Sequence, residues 1–592
     1  MTWMKRSALI IITAASTIVA AGGGCPAVSE PDLKKSLREL TSDKYEGRLT
    51  GSGGGAVTES YLEKRFSALG LEKIMEKEGF RQSFSFTAGV KIGEGNSLSF
   101  MTNGETVCEL SPEKDFMPAS FSEDCEIRGA EIVFAGFGIR SREPARNDYE
   151  GIEAKDKVVI VLRDGPDGDD PKSQWAPFYS SRYKASAAKE LGAKALLLVS
   201  TDEKGDVLPA MKRGAAAGSA QIPVVSLKLS FLKKLLEVEE IPISEGSGLK
   251  ELKPFAVKNV SATMNIKLKR EKASASNIVG LLPATVKTAD TIVVGAHWDH
   301  LGRGIEGSLA GKFGEIHRGA DDNASGTAGV LELARVFSLE KSRKKNLLFV
   351  CFAGEEIGAL GSGHFVKNIP PGAGSIVAMI NLDMIGRLGE KVVVDGTGTA
   401  KEWKDILERA NAEKLDMSTH EDGYGASDHS SFYAKNIPVL FFFTGAHADY
   451  HLPSDTADKI NYPGEAKVLR LVRKTILEIM NMDGRPTYAA TEGNAGKGRA
   501  SFSVYVGTVP DFTEEGKGFK IMSVRAGSPA EKAGLKGGDL LISLGGKAIA
   551  NIYDYTYALQ EFRPGDEAEA VVIREGSEVK VRIVFGARKA AE

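Results

Sequence analysis

Histidine is missing from about three-quarters of this chain. Only 8 of the 592 residues are histidine, and all lie between His297 and His451. An imidazole-based metal or acid/base site is therefore excluded outside that window. Cysteine is nearly as scarce, with four residues at Cys25, Cys108, Cys125 and Cys351, and no C-x-x-C pair. That argues against thiolate zinc sites and dithiol redox motifs. Cys351 sits in the apolar run LLFVCFAG and reads as core. Cys108 and Cys125 are either a disulfide of an exported protein or two free thiols. An excess of one charge is also lacking: 76 Lys+Arg against 79 Asp+Glu leave a net charge of -3. Such a chain has no general electrostatic attraction for nucleic acid. Beyond the N-terminus no apolar run is long enough to span a bilayer. A hydrophobic content of 42% and a charged content of 26% are ordinary for soluble globular protein and exclude disordered or collagenous chains. At roughly 150 residues per domain the length corresponds to about four domains.

Residues 1–25 read as a signal peptide, with Lys5 and Arg6 before the apolar stretch SALIIITAASTIVAA. A glycine run then ends at Cys25, which resembles a bacterial lipoprotein site. Gly22 stands where such sites usually carry a large aliphatic residue. Cleavage by the general signal peptidase, leaving Cys25 incidental, is the alternative. Either way the chain is expected outside the cytoplasm, in the periplasm or cell envelope, with membrane contact only through a lipid at Cys25.

Five regions follow. Residues 30–127 combine helix-like and strand-like patterns and are expected to open the main domain. Residues 128–262 hold short apolar runs (AEIVFAGFGI, KVVIVLRDG, AKALLLVS, IPVVSL) around a helix-like SSRYKASAAKELGA. They are expected to form a β-rich insert, which resembles the protease-associated (PA) domain of exported peptidases. In residues 263–482 buried strands alternate with helices, the pattern of a mixed, largely parallel sheet flanked by helices. Residues 483–500 are polar and Gly/Ala-rich and read as a linker. Residues 501–588 carry SPAEKAGLKGGD and resemble a PDZ domain fused to bacterial proteases.

In the strand–helix region, potential ligands stand at successive strand ends: GAHWDH (His297, Asp299), GADDNASG (Asp321, Asp322), FAGEE (Glu355, Glu356), NLDMIG (Asp383) and DYHLPSD (His451). Any one of these is an ordinary structural group. Together they converge on one rim, because sites in such sheets lie beyond the carboxyl ends of the strands. So many acids would raise one another's pKa unless a cation sat among them. Imidazole with carboxylate suits zinc.

GAHWDH, HRGADDNASGTAGVLELAR, FAGEEIGALGS, NLDMIGR, SDHSSF and DYHLPSDTADKIN together resemble the co-catalytic di-zinc aminopeptidases, metallopeptidase family twenty-eight. YEGRLTGSGG resembles that family's opening. The resemblance implies a zinc exopeptidase fold and two zinc ions per chain. It assigns His297 and Asp383 to one ion, Glu356 and His451 to the other, and Asp322 as the bridge. It makes Glu355 the general base toward a metal-bridging water, and Tyr450 a residue that steadies the oxyanion. All six of His297, Asp322, Glu355, Glu356, Asp383 and His451 are intact, unlike in the metal-free transferrin receptor of the same family. Asp299 is expected to orient His297. Asp428 and His429 either line the site or brace it. His300 and His317 lie beside ligands and are candidates to support them from behind, with no direct role assigned.

The expected function is removal of N-terminal residues from peptides. A di-zinc carboxypeptidase, a glutaminyl cyclase, or a non-catalytic PA/PDZ binding protein are the alternatives. In the PDZ-like region Gly518, Phe519, Lys520 and Ile521 are expected to cradle the C-terminal carboxylate of a protein partner.

Overall fold

The computed structural model describes residues 27–588, apart from 76, 78, 143, 171, 202–205, 210, 212–218, 242–247, 306, 311–313, 492–502 and 512–517. The expected signal peptide with Cys25, and residues 492–500 of the expected linker, lie outside the described residues.

The chain opens with helices α1 (Glu30–Leu40) and α2 (Gly53–Ala68), each started by a serine whose side chain accepts a backbone N–H of the first turn. Leu33, Leu37 and Leu40 recur at helical spacing on α1 and are fully buried. Strand β1 (Arg81–Ile92) follows.

The next unit contains β2 (Ser97–Thr102), β3 (Glu105–Leu110), β4 (Phe116–Pro118), β5 (Cys125–Phe134), the hairpin β6 (Arg140–Arg142) and β7 (Ala145–Asn147), β8 (Val158–Leu162), α3 (Ser181–Glu190), β9 (Ala195–Val199), β10 (Val224–Leu227), α4 (Leu229–Val238) and β11 (Phe255–Ile266). Eight of these strands form one sheet in the order β3-β2-β11-β5-β8-β9-β10-β4. The unit therefore begins at about Ser97, not at residue 128 as the sequence texture suggested, and ends at Ile266. Alternation of apolar and polar residues marks a strand but does not say which sheet it joins. Cys108 and Cys125 are free thiols.

The chain then returns through β12 (Leu268–Leu282), which pairs antiparallel with β1 along its length. The main sheet is completed by β13 (Asp290–His297), α5 (Gly326–Ser338), β14 (Asn346–Phe352), α6 (Leu360–Lys367), β15 (Ser375–Leu382), β16 (Lys391–Asp395), α7 (Trp403–Ala410), β17 (Asp416–His420), α8 (His429–Tyr433), β18 (Val439–Phe443) and α9 (Tyr462–Asn481). Its order is β1-β12-β14-β13-β15-β18-β16-β17. Four of its seven pairings are parallel, so the sheet is mixed and largely parallel, with helices covering it. The central strands β13, β14 and β15 are buried along nearly all their residues, as expected when both faces are covered. One large cluster packs α1, α5 and α9 against this sheet, with Trp298 and Trp403 among its fully buried members.

A C-terminal unit follows: β19 (Val504–Tyr505), β20 (Thr508–Pro510), β21 (Phe519–Val524), α10 (Pro529–Lys532), β22 (Leu540–Leu544), β23 (Lys547–Ala548), α11 (Ile552–Leu559), β24 (Glu567–Arg574), β25 (Ser577–Val584) and β26 (Gly586–Ala587). The expected carboxylate cradle at Gly518–Ile521 is not formed there. The Gly518 N–H donates to Ala550 O at 2.9 Å, and the Ile521 N–H to Asp539 O at 2.9 Å. Strand β21 pairs with β20 at Ile521, Ser523 and Val524 and with β22 at Phe519 and Lys520.

Candidate metal centre

Parallel strands bring their carboxyl ends to one rim. His297 ends β13, Asp383 follows β15 directly, Glu355 and Glu356 lie just past β14, and His451 follows β18. Asp322 comes from the irregular turn Ala320–Ser325 that opens α5. His297 Nε2 lies 3.3 Å from Asp383 Oδ1 and 3.5 Å from Asp322 Oδ1. His451 Nε2 lies 3.2 Å from Asp322 Oδ2 and 3.2 Å from Glu356 Oε2. The structure thus brings together all five expected ligands, with Asp322 facing both groups through different oxygens. Glu355 Oε2 stands 3.8 Å from His297 Nε2.

The spacing fits a small cation. Tetrahedral zinc with ligands at about 2.0–2.1 Å places neighbouring donor atoms about 3.3 Å apart. The separations above, 3.2–3.5 Å, are of that size. Two overlapping groups, His297–Asp322–Asp383 and His300–Asp322–Glu356, each have their donor atoms within 4.8 Å of one another.

His300 was missed as a donor by sequence reasoning. Its Nδ1 lies 2.5 Å from Glu356 Oε1 and 3.8 Å from Asp322 Oδ2, while its buried Nε2 has no hydrogen-bond partner. The spacing H-W-D-H was the signal available. His451 is oriented from behind, with Nδ1 2.9 Å from Gly307 O, which leaves Nε2 for the carboxylates. His317 Nε2 is 2.7 Å from Ser308 Oγ and takes no part.

Further groups fix the rim. Asp299 does two things: its backbone oxygen lies 3.2 Å from His297 Nδ1, and its carboxylate accepts the Glu355 N–H at 3.1 Å. Asp455, unremarked in the sequence, is buried and accepts the N–H groups of Asp321 and Asp322 at 2.8 and 3.2 Å. Arg387 donates to its other oxygen at 2.9 Å. Asp321 is turned away, accepting the Gly386 N–H at 2.7 Å and lying 3.2 Å from His447 Nε2. Arg48, in YEGRLTGSGG, is fully buried. Its guanidinium donates to Leu40 O, Trp298 O, Arg318 O and Gly319 O at 2.6–3.1 Å. Gly319 has φ +52, and a side chain there would collide with the Asp322 carbonyl and the His300 ring. Tyr450 stacks on the His451 ring with centroids 3.9 Å apart. Asp428 and His429 are buried behind the rim. The His429 ring stacks on Phe441 at 4.5 Å and so braces the site from below.

The electrostatics show how much positive charge the rim demands. Burial and the nearby Glu356 push Asp322 up to about 6. Burial lifts Glu355 well above the carboxylate range, with His297 opposing. Burial opposes a charged His451, yet its hydrogen bonds to Asp322 and Glu356 outweigh that and raise it to about 10. His297 is likewise held well above its ordinary value by Asp383 and Glu355 despite its burial. Burial also opposes ionised Glu356, but His300 and His451 outweigh it and hold that carboxyl low. Protons on two histidines balance the acids, a role that divalent cations fill more completely.

Residues 277–476 match Peptidase family M28, and residues 510–584 match the PDZ domain. The chain thus carries an M28 peptidase domain and a PDZ domain. It is 26% identical over 499 residues to aminopeptidase YwaD of Bacillus subtilis (strain 168), spanning 81% of this chain and 94% of that one. It is 32% identical over 200 residues to a probable leucine aminopeptidase of Trichophyton verrucosum (strain HKI 0517), spanning 31% of this chain and 53% of that one. The solved aminopeptidase from Aneurinibacillus sp. strain AM-1 overlaps 78% of this chain and 97% of its own, with a TM-score of 0.48 and 20% identity.

Proposed function

We propose that this protein is a zinc aminopeptidase that binds two zinc ions and removes N-terminal residues from peptides. The observation that carries the reading is the pair of donor groups sharing Asp322, spaced as zinc ligands are. Both expected and observed donors fit the group: His297, Asp322 and Asp383 on one side, Asp322, Glu356 and His451 on the other, with His300 beside them. Bound zinc would supply a water activated near neutral pH and polarise the scissile carbonyl. Glu355 is placed to act as the base that would accept the proton of an attacking water and return it to the leaving amine. Its place is fixed by the hydrogen bond from its N–H to Asp299. Tyr450, stacked on His451, is the candidate donor to the oxyanion. The charged-then-apolar start of the chain and Cys25 support export with a lipid anchor.

The test is digestion of a defined peptide by purified full-length protein, with zinc measured in the same sample. Release of the first residue with about two zinc ions per chain is the expected result. Release of the last residue, or formation of pyroglutamate, would overturn the aminopeptidase reading. Absence of both zinc and hydrolysis would favour a binding role.

A further inference from the structure

The PDZ domain packs on both other units of the chain. Against the second sheet, Lys189 Nζ and Ser186 Oγ of α3 donate to the Asp554 carboxylate of α11 at 2.6 and 3.0 Å. Against the M28 domain it makes polar contacts in two places: Asp511 Oδ2 lies 2.6 Å from Lys367 Nζ at the end of α6, and a second set falls on the loop of residues 421–428. Arg525 Nη1 donates to Asp422 Oδ2 at 2.6 Å, and its guanidinium lies over the Tyr424 ring at 4.7 Å. The Tyr424 hydroxyl is 2.5 Å from Ser523 Oγ.

Three residues along the same loop, the buried Ser427 touches the metal centre. Its Oγ accepts from Asn381 Nδ2 at 2.8 Å and donates to Asp383 Oδ2 at 2.8 Å. The opposite oxygen, Oδ1, faces His297. A donor on Oδ2 therefore sets how the carboxylate is rotated toward the metal position. The stretch between the two contacts is stiff. Asp422 Oδ1 accepts the Tyr424 N–H at 3.0 Å, Tyr424 packs edge-on against Tyr433 at 4.7 Å, and the Gly425 N–H donates to Ser430 Oγ at 2.8 Å.

We propose that Ser427 is a positioning residue for Asp383, and that the PDZ domain, through Arg525 and Ser523, holds the loop that places it. The C-terminal domain is then part of the apparatus that shapes the metal centre, besides any peptide it captures. This inference rests on the zinc reading above.

The test uses the full-length protein and two readouts, zinc retained against a competing chelator, and kcat with KM on an aminoacyl nitroanilide. Ser427→Ala is expected to weaken zinc retention roughly 10- to 100-fold. Arg525→Ala is expected to weaken it roughly 2- to 30-fold. Both should lower kcat with KM nearly unchanged, and Ser427→Thr, which keeps the hydroxyl, should restore both readouts. The double variant should be no worse than Ser427→Ala alone, because both act on one hydrogen bond. Lys189→Ala, which loosens the PDZ domain only from the second sheet, should retain zinc as the parent does. Parental zinc retention in Arg525→Ala, or effects that multiply in the double variant, would overturn the proposal. A parent protein that binds zinc but cleaves no peptide refutes the aminopeptidase reading and leaves the zinc measurement decisive for this one.

Discussion

Replacing Arg48 tests whether the chain's N-terminal segment builds the metal centre or merely covers it. Its guanidinium makes four hydrogen bonds to carbonyl oxygens of Leu40, Trp298, Arg318 and Gly319. Trp298 follows the proposed ligand His297, and Gly319 stands three residues before the proposed ligand Asp322, so one side chain fixes the backbone on both sides of the site. At about 1 kcal/mol for each bond lost to a buried carbonyl, Arg48→Met costs about 4 kcal/mol. Arg48→Lys keeps the charge but replaces the planar fork with a single point, retaining about two bonds and costing about 2 kcal/mol. For a domain of this size 1 kcal/mol moves the melting midpoint by about 2–4 °C. The expected falls are therefore about 8–16 °C for methionine and about 4–8 °C for lysine, read by calorimetry on the metal-free full-length protein. Zinc retention should fall in the same order. A methionine variant within about 2 °C of the parent, or a lysine variant no better than methionine, would show that those carbonyls find other donors.

Three further outcomes are expected. Glu355→Gln should lower kcat by roughly 10²–10⁴-fold with zinc content unchanged, and near-parental turnover would remove Glu355 from the role of base. His300→Ala should release zinc from the Glu356 side, taking the content from about two toward about one per chain; full retention measured by elemental analysis would leave His300 a packing residue. The third concerns pH. Burial lowers His429 to about 4 from its ordinary 6.5, so the native state resists a proton that the unfolded chain accepts. Stability from neutral His429 is complete above about pH 6.5 and is lost as pH falls toward about 4, by about 3 kcal/mol in all. His429→Gln should flatten that part of the urea-midpoint profile of the metal-free protein, and an unchanged slope would assign it to other groups.

Much of the site was legible because its parts sit at the ends of apolar strands, where NLLFVCFAGEE and SIVAMINLDMIG announce both the strand and the acids beyond it. What escaped shares a physical cause. His300 and Asp455 lie within quoted motifs but act through contacts set by chain reversals, and nothing in local spacing says which way a loop histidine points. Arg48 was hidden because a buried guanidinium bonded to carbonyls leaves no periodic signature. The second sheet was misjudged at its start for the same reason: β2 alternates like any half-buried strand, β3 pairs with β2 alone, and β2's other partner, β11, is more than a hundred residues away. The PDZ cradle failed because the motif glycine, Gly518, spends its N–H inside the domain.

The pairing of β1 with β12 has a consequence for how such a protein is assembled. Ile92 stands opposite Leu268, and the Gly93 N–H still reaches Lys267 O at 2.8 Å. Residues 94–266 therefore leave and re-enter the main sheet at neighbouring points, so topologically the whole second unit is the loop of a β-hairpin. Because closure entropy grows only logarithmically with loop length, the catalytic sheet is nearly indifferent to how much chain hangs there. A short turn could be grafted in its place without shifting the register of any strand that carries a ligand. The same opening would admit a different module, which makes the hairpin tip the natural place to exchange one accessory domain for another.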